Sequence, residues 1–145
     1  MARSGTTART SRIKRSTKPD SAQDLSAYCR DLENWPRSWM GWEKDLPPGA
    51  RLVACFRPFM QHVVDSGLSR KTICRHVDHL WLLGGEIIRD LNQTPSLTRV
   101  EVDRVLRDRI HEDGGPLIPN GSEGEQRYFD ATCRKLHRFL AQSQS

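Results

Sequence analysis

A chain of 145 residues with 23 Lys and Arg against 18 Asp and Glu carries a formal charge of +5 at pH 7, and its hydrophobic content is only 36%. That length suits one compact domain with residues to spare for a tail. No apolar run approaches the ~20 residues of a membrane span, and no apolar stretch follows the N-terminal charges as a secretory signal requires. The N-terminus also lacks the amphipathic apolar face of a transit peptide, so the expected compartment is the cytoplasm, in association with the nucleoid if the source is bacterial.

Residues 1–19, "MARSGTTARTSRIKRSTKP", hold six cations (Arg3, Arg9, Arg12, Lys14, Arg15 and Lys18) and no acid. Taking these six from the 23 leaves 17 basic residues against 18 acids, so the body is near neutral. A Ser/Thr/Arg/Lys segment of this kind buries too little apolar area to order itself. It is expected to be a disordered basic tail, either a nucleic-acid arm through Arg12, Lys14 and Arg15 or a solubilising extension.

From residue 20 the pattern turns helical. "SAQDLSAYCRDLENW" places Leu25, Cys29 and Leu32 on one face of a helix that Trp35-Pro36 should end. Residues 35–49 read as an irregular connector holding Trp35, Trp39 and Trp42. These tryptophans are either a lid over a small core or an anchor for another protein chain, a role in which Trp is favoured. "ARLVACFRPFMQHVVDSG" then sets Leu52, Phe56, Phe59 and Val63 on a helical stripe, with Pro58 expected to kink or break it and Gly67 placed to end it.

Ser69 is placed to cap a long helix running to about Asn92, with Ile73, Val77, Leu80, Gly84, Ile87 and Leu91 inward. Gly84-Gly85 costs roughly 1 kcal/mol per residue against Ala, which is tolerable where another helix crosses closely. "TRVE" predicts a capping box of Thr98 and Glu101 opening a helix with Val102, Val105, Leu106 and Ile110. The pairs Asp103/Arg107 and Arg104/Asp108 should support that helix. Residues 112–121 form a loop, and "SEGE" is a second capping box, Ser122 with Glu125. It opens a last helix whose inner stripe is Phe129, Cys133, Leu136 and Leu140. Helices without strands predict an all-α fold, a small orthogonal bundle of four to five helices.

Two features suggest chemistry. Arg70 and Lys71 occupy the first turn of the long helix, the end with partial positive charge, where cations are disfavoured by roughly 0.3–1 kcal/mol each. With Ser69, Thr72, Arg75 and His76 they could clamp a phosphate, or they could form a solvated polar turn. On the last helix Arg127, Arg134 and Arg138 fall within about 40° of one another, opposite the core stripe, with Lys135 beside them. That too is either an anion-binding stripe or an ordinary solvated face. Cys29, Cys55, Cys74 and Cys133 have no C-x-x-C spacing and read as reduced core residues. Zinc is not expected, because Cys74 and His76 point opposite ways and only His76 and His79 share a face. No P-loop, G-x-S-x-G or H-E-x-x-H pattern is present, and no cofactor is expected.

"FRPFMQHVVDSGLSRKTICRHVDHLWLLGGEI", "TPSLTRVEVDRVLRD" and "SEGEQRYFDATCRKLHRFLAQ", in that order between Leu52 and Leu140, resemble the core-binding domain of tyrosine recombinases (phage integrases). This is a SAM-like four-helix module that closes one side of a clamp on duplex DNA. The resemblance implicates Ser69, Arg70, Lys71, Thr72 and Arg75 at the helix start and Arg127, Arg134, Lys135 and Arg138 on the last helix. It divides the chain into a tail (1–19), an N-terminal helix with the Trp-rich connector (20–50) and a core-binding-like domain (51–142). The family's catalytic arginines, His-x-x-Arg element and tyrosine nucleophile have no counterpart here. The expectation is therefore a non-enzymatic double-stranded-DNA-binding protein that assists or antagonises a recombinase, or organises DNA on a mobile element. The alternative is an adaptor or inhibitor that engages a protein partner through Trp35, Trp39 and Trp42.

Overall fold

The computed structural model of the chain describes residues 24–143, so the expectations for Arg12, Lys14 and Arg15 lie outside the described residues. Within that range there are five α-helices: α1 (Trp35–Trp39), α2 (Leu46–Val64), α3 (Arg70–Gln93), α4 (Val102–Arg109) and α5 (Glu123–Ser143). Short 3-10 turns lie at Leu25–Ala27, Leu32–Asn34, Glu43–Asp45 and Pro95–Arg99, and no strand occurs among the described residues. The fold is a small all-α bundle. Its core joins Leu52, Phe56, Phe59 and Val63 of α2 to Ile73, Val77, Leu80 and Ile87 of α3. Val105 and Leu106 of α4 and Phe129, Cys133 and Leu136 of α5 complete it. These are the stripes that helical spacing predicts.

The N-terminal segment departs from expectation. In place of a helix over residues 24–34 there are two 3-10 turns, and Trp35-Pro36 opens α1 instead of ending a helix. Proline suits a first helical turn because its missing N–H would have no partner there anyway. Asp24 holds the first turn by accepting from the Ser26 amide at 3.0 Å. Leu25, Cys29 and Leu32 are nevertheless all buried, and the Cys29 amide donates to the Leu25 carbonyl at 3.1 Å, an α-type turn that brings these two to one side. They share the single core of the later helices.

Further expectations change. α2 begins at Leu46, four residues early, with Pro47 and Pro48 in its first turn, and it runs unbroken through Pro58. Pro58 and Ala54 are both exposed, so the carbonyl deprived of its partner faces water. Thr98 caps nothing: it lies in a 3-10 turn with its hydroxyl donating to the Pro95 carbonyl at 2.6 Å, and Glu101 precedes α4 without a side-chain cap. Asp103 is taken by Arg51 of α2 through two parallel bonds of 2.8 Å, which tie α4 to α2. Gly67 has φ +83° and lies two residues beyond the α2 cap at Asp65.

Both serine caps form as expected. Ser122 Oγ accepts from the Glu125 amide at 3.1 Å, and Glu125 reaches back to the Ser122 amide at 2.9 Å. Ser69 Oγ accepts from the Thr72 amide at 3.2 Å. Ser69→Ala should cost about 1 kcal/mol in urea unfolding, with Ser69→Asp recovering it; equal midpoints for all three would show the cap to be idle.

The Trp-rich segment is strapped onto α3. Trp35 is 3% exposed, and its ring centroid lies 5.7 Å from that of Trp39. Trp39 lays its indole on Gly84 and Gly85 and donates Nε1–H to the Trp81 carbonyl at 2.9 Å. Trp81 Nε1 returns a bond to Ser38 Oγ at 2.8 Å. The diglycine therefore accommodates a single indole, where the sequence suggested a crossing helix. Buried Asp45 secures the strap by accepting from the Gly41 and Trp42 amides and from Asn92 of α3.

Candidate nucleic-acid interface

At the start of α3 the two cations have different surroundings. Arg70 donates from Nη2 to the Ala27 carbonyl at 2.9 Å and lies 4.9 Å from the Tyr28 ring centroid. The cation that its own helix disfavours thus has a partner within the chain, the carbonyl of the first 3-10 turn. Lys71 is exposed, and Thr72 is half-buried with its hydroxyl bonded to that of Ser69 at 3.0 Å. One turn on, Arg75 stacks over Tyr128 of α5 at 4.3 Å.

His76 is not a phosphate ligand. It is only 6% exposed, wedged between α3 and α5 with Nδ1 2.7 Å from the Thr132 hydroxyl. Its position on α3 lies beside the core stripe of Ile73, Val77 and Leu80, which turns it inward. His79 brings Nδ1 to the same hydroxyl at 2.8 Å and stands edge-on to Phe129. Burial, reinforced by the positive charge of Lys135, His79 and Arg75, pushes His76 down to about 4. Burial likewise lowers His79, with Arg75 acting in the same direction and Asp78 opposing.

On α5, Arg127, Lys135 and Arg138 are exposed and Arg134 is half-buried. Asp130, which flanks this stripe, is turned into the preceding loop, where it accepts from the Gly115 amide at 3.1 Å and from Gln126 at 2.9 Å. Lys135 and Arg138 also line a cleft of about 150 Å³ with His62 and Ser66 at the end of α2 and Leu68 in the turn before α3. The α5 cations Lys135 and Arg138 therefore face the turn that leads into α3, and Arg75, one turn into that helix, stacks over Tyr128 of α5. A roomier cleft of about 500 Å³, between Tyr28–Asp31 and the Val77–Leu82 side of α3, carries Asp31 and Asp78 and is less suited to an anion.

The three tryptophans of the connector do not form one patch: Trp35 is in the core, Trp39 is half-buried on the diglycine, and only Trp42 of the three, at 66%, is exposed. All four cysteines are free, and burial pushes the Cys133 and Cys29 thiols up to about 12, with Asp31 adding to the effect at Cys29. No group of three or more His, Cys, Asp or Glu suited to a metal ion occurs among the described residues. No helix among them is long and apolar enough to cross a membrane. Sequence reasoning missed Tyr28 and Tyr128 as stacking partners of Arg70 and Arg75, because neither contact follows a local spacing. It also missed His62, whose ring stacks towards Phe139 at 5.1 Å. No family model, curated protein or solved structure matches the chain.

Proposed function

We propose that the chain is a non-enzymatic DNA-binding protein that grips the phosphate backbone of a duplex. Its contact face runs from Lys71 and Arg75 at the start of α3 to Arg127, Arg134, Lys135 and Arg138 on α5. The observation that carries this reading is that α5 and the start of α3 pack together on their basic sides: Lys135 and Arg138 line a cleft with the turn before α3, and Arg75 stacks over Tyr128. Lys135 and Arg138 supply the positive charge there, and the flanking acid Asp130 is hydrogen-bonded to the loop before α5 and to Gln126. Backbone contacts of this kind fix position and orientation on DNA without selecting sequence. The likeness to a recombinase core-binding module agrees with this use of the two helices. On that reading the protein assists or antagonises a recombinase, or organises DNA on a mobile element.

If about six phosphates are neutralised, log K should fall with log salt at a slope near −5. Fluorescence anisotropy of a labelled duplex across salt concentrations measures this, and a slope close to zero overturns the reading. Lys71→Glu with Arg127→Glu should weaken binding across unrelated sequences and flatten the slope. Replacing Arg12, Lys14 and Arg15 by Gln in the full chain measures the share due to the tail. The rival reading, an adaptor or inhibitor with a protein partner, retains only Trp42 as an exposed anchor. It predicts a partner that is lost on Trp42→Ala and no duplex binding at moderate salt.

A further inference from the structure

The cleft between the end of α2 and α5 has a shape and lining that the wider basic face does not share. Its floor is apolar, formed by Phe59, Val63, Leu68 and Phe139, and its polar rim is set by His62, Lys135 and Arg138. An apolar floor lowers the local dielectric and strengthens the attraction of fixed cations for an anion seated above it. The volume, about 150 Å³, admits one tetrahedral oxyanion and a few waters but is small for a nucleoside. The Ser66 hydroxyl donates to the Val63 carbonyl at 2.6 Å, and Lys135 and Arg138 are the cations of the lining, beside His62 and Gln142.

We propose that this cleft seats a single phosphodiester of the DNA backbone between Lys135 and Arg138. The proposal rests on the DNA-binding reading and gives that face its deepest contact. Two geometrical facts favour a backbone phosphate over a free ion. Arg138 belongs both to the cleft and to the exposed stripe of Arg127 and Arg134, so a strand lying along the stripe passes the cleft mouth. The opposite wall is the turn before α3, which brings the strand beside exposed Lys71. Occupancy also has an internal reporter. Lys135 is one of the charges that hold His76 unprotonated, so an anion on Lys135 should raise the His76 titration midpoint.

The test uses the full chain, wild type and Lys135→Gln/Arg138→Gln, in two titrations. Inorganic phosphate is followed by the amide resonances of Ser66–Leu68 and Lys135–Arg138 and by the His76 ring resonances. A labelled duplex is followed by anisotropy across salt. The expected result is saturable phosphate shifts at the cleft, absent in the double variant, with the variant's DNA salt slope flattened by about 1. DNA binding with no phosphate shifts at the cleft, and with the variant's slope unchanged, would overturn the cleft while leaving the DNA reading standing. Saturable cleft shifts with unaltered DNA affinity in the variant would make it a seat for free phosphate and overturn the backbone assignment. Failure of the wild-type chain to bind any duplex would remove the DNA reading and this proposal's ligand with it. Arg104→Gln, which removes an exposed cation of α4 outside the cleft lining, should leave the phosphate titration unchanged.

Discussion

Gly84→Ala should destabilise the fold by about 2 kcal/mol in the native background and stabilise it by about 1 kcal/mol when Trp39 is already alanine. An added Cβ at Gly84 would lie 2.2 Å from Trp39 Cζ2 and 2.4 Å from Cη2, well inside contact distance. The indole would have to lift, which breaks its hydrogen bond to the Trp81 carbonyl and opens the packing beneath it. Overpacking of this sort typically costs 1–3 kcal/mol, and the lost bond adds about 1 kcal/mol. Against this stands the gain of roughly 1 kcal/mol for Ala over Gly in a helix, which survives alone once the indole is gone. The coupling of about 3 kcal/mol should appear in a double-mutant cycle by urea unfolding. Additive effects would show that the indole is not seated on the diglycine.

Acidification from pH 6.5 to 4 should remove up to about 3 kcal/mol of stability through His76 alone. Unfolded, this histidine takes up a proton near its ordinary value of 6.5; folded, it does so only near 4. The unfolded state therefore binds more protons throughout that window, and stability falls as pH falls. The contribution is complete above the upper value and gone below the lower. The groups facing His76 explain the direction: Thr132 offers a neutral hydroxyl, while Lys135, His79 and Arg75 all resist a further positive charge. The hydroxyl has one proton to give, so at least one of the two imidazoles must present N–H at Nδ1. His76→Gln should be less stable at neutral pH and keep across the window only the slope that His79, also lowered by burial, contributes. Asp45 and Asp103 have folded values below 3.8, so their losses come at lower pH and do not blur the measurement. A wild-type slope that persists in His76→Gln would place the acid sensitivity elsewhere.

The contrast between His76 and Lys71 shows what the sequence can carry. The long helices were legible because a stripe such as Leu52, Phe56, Phe59 and Val63 repeats at a helical period over several turns, and the local caps Ser69 and Ser122 mark their starts. The segment from Leu25 to Trp39 was misread because 3-10 turns are too short to establish a period. A proline after Trp35 can also serve as either a stop or a first turn. Thr98 has the spacing of a cap, but its hydroxyl donates to the Pro95 carbonyl and accepts from no amide of α4. At the candidate interface, the exposure of Lys71 and the outward stripe of α5 follow from helical phase alone. The partners of Arg70 and His76 do not: Ala27 lies 43 positions away and Thr132 lies 56 away. Such contacts depend on how the helices are assembled, which no local pattern encodes.

The seat of Trp39 on Gly84 also bears on how this chain can diverge. A lineage that acquires any side chain at position 84 first strands the indole, and one that loses the indole first leaves a bare diglycine with nothing to cover it. The two positions are free to drift only together, through a narrow passage in which both change. Among distant kin too altered for overall likeness to register, a bulky ring at the end of the short first helix paired with a glycine midway along the long one would be a lasting mark of descent.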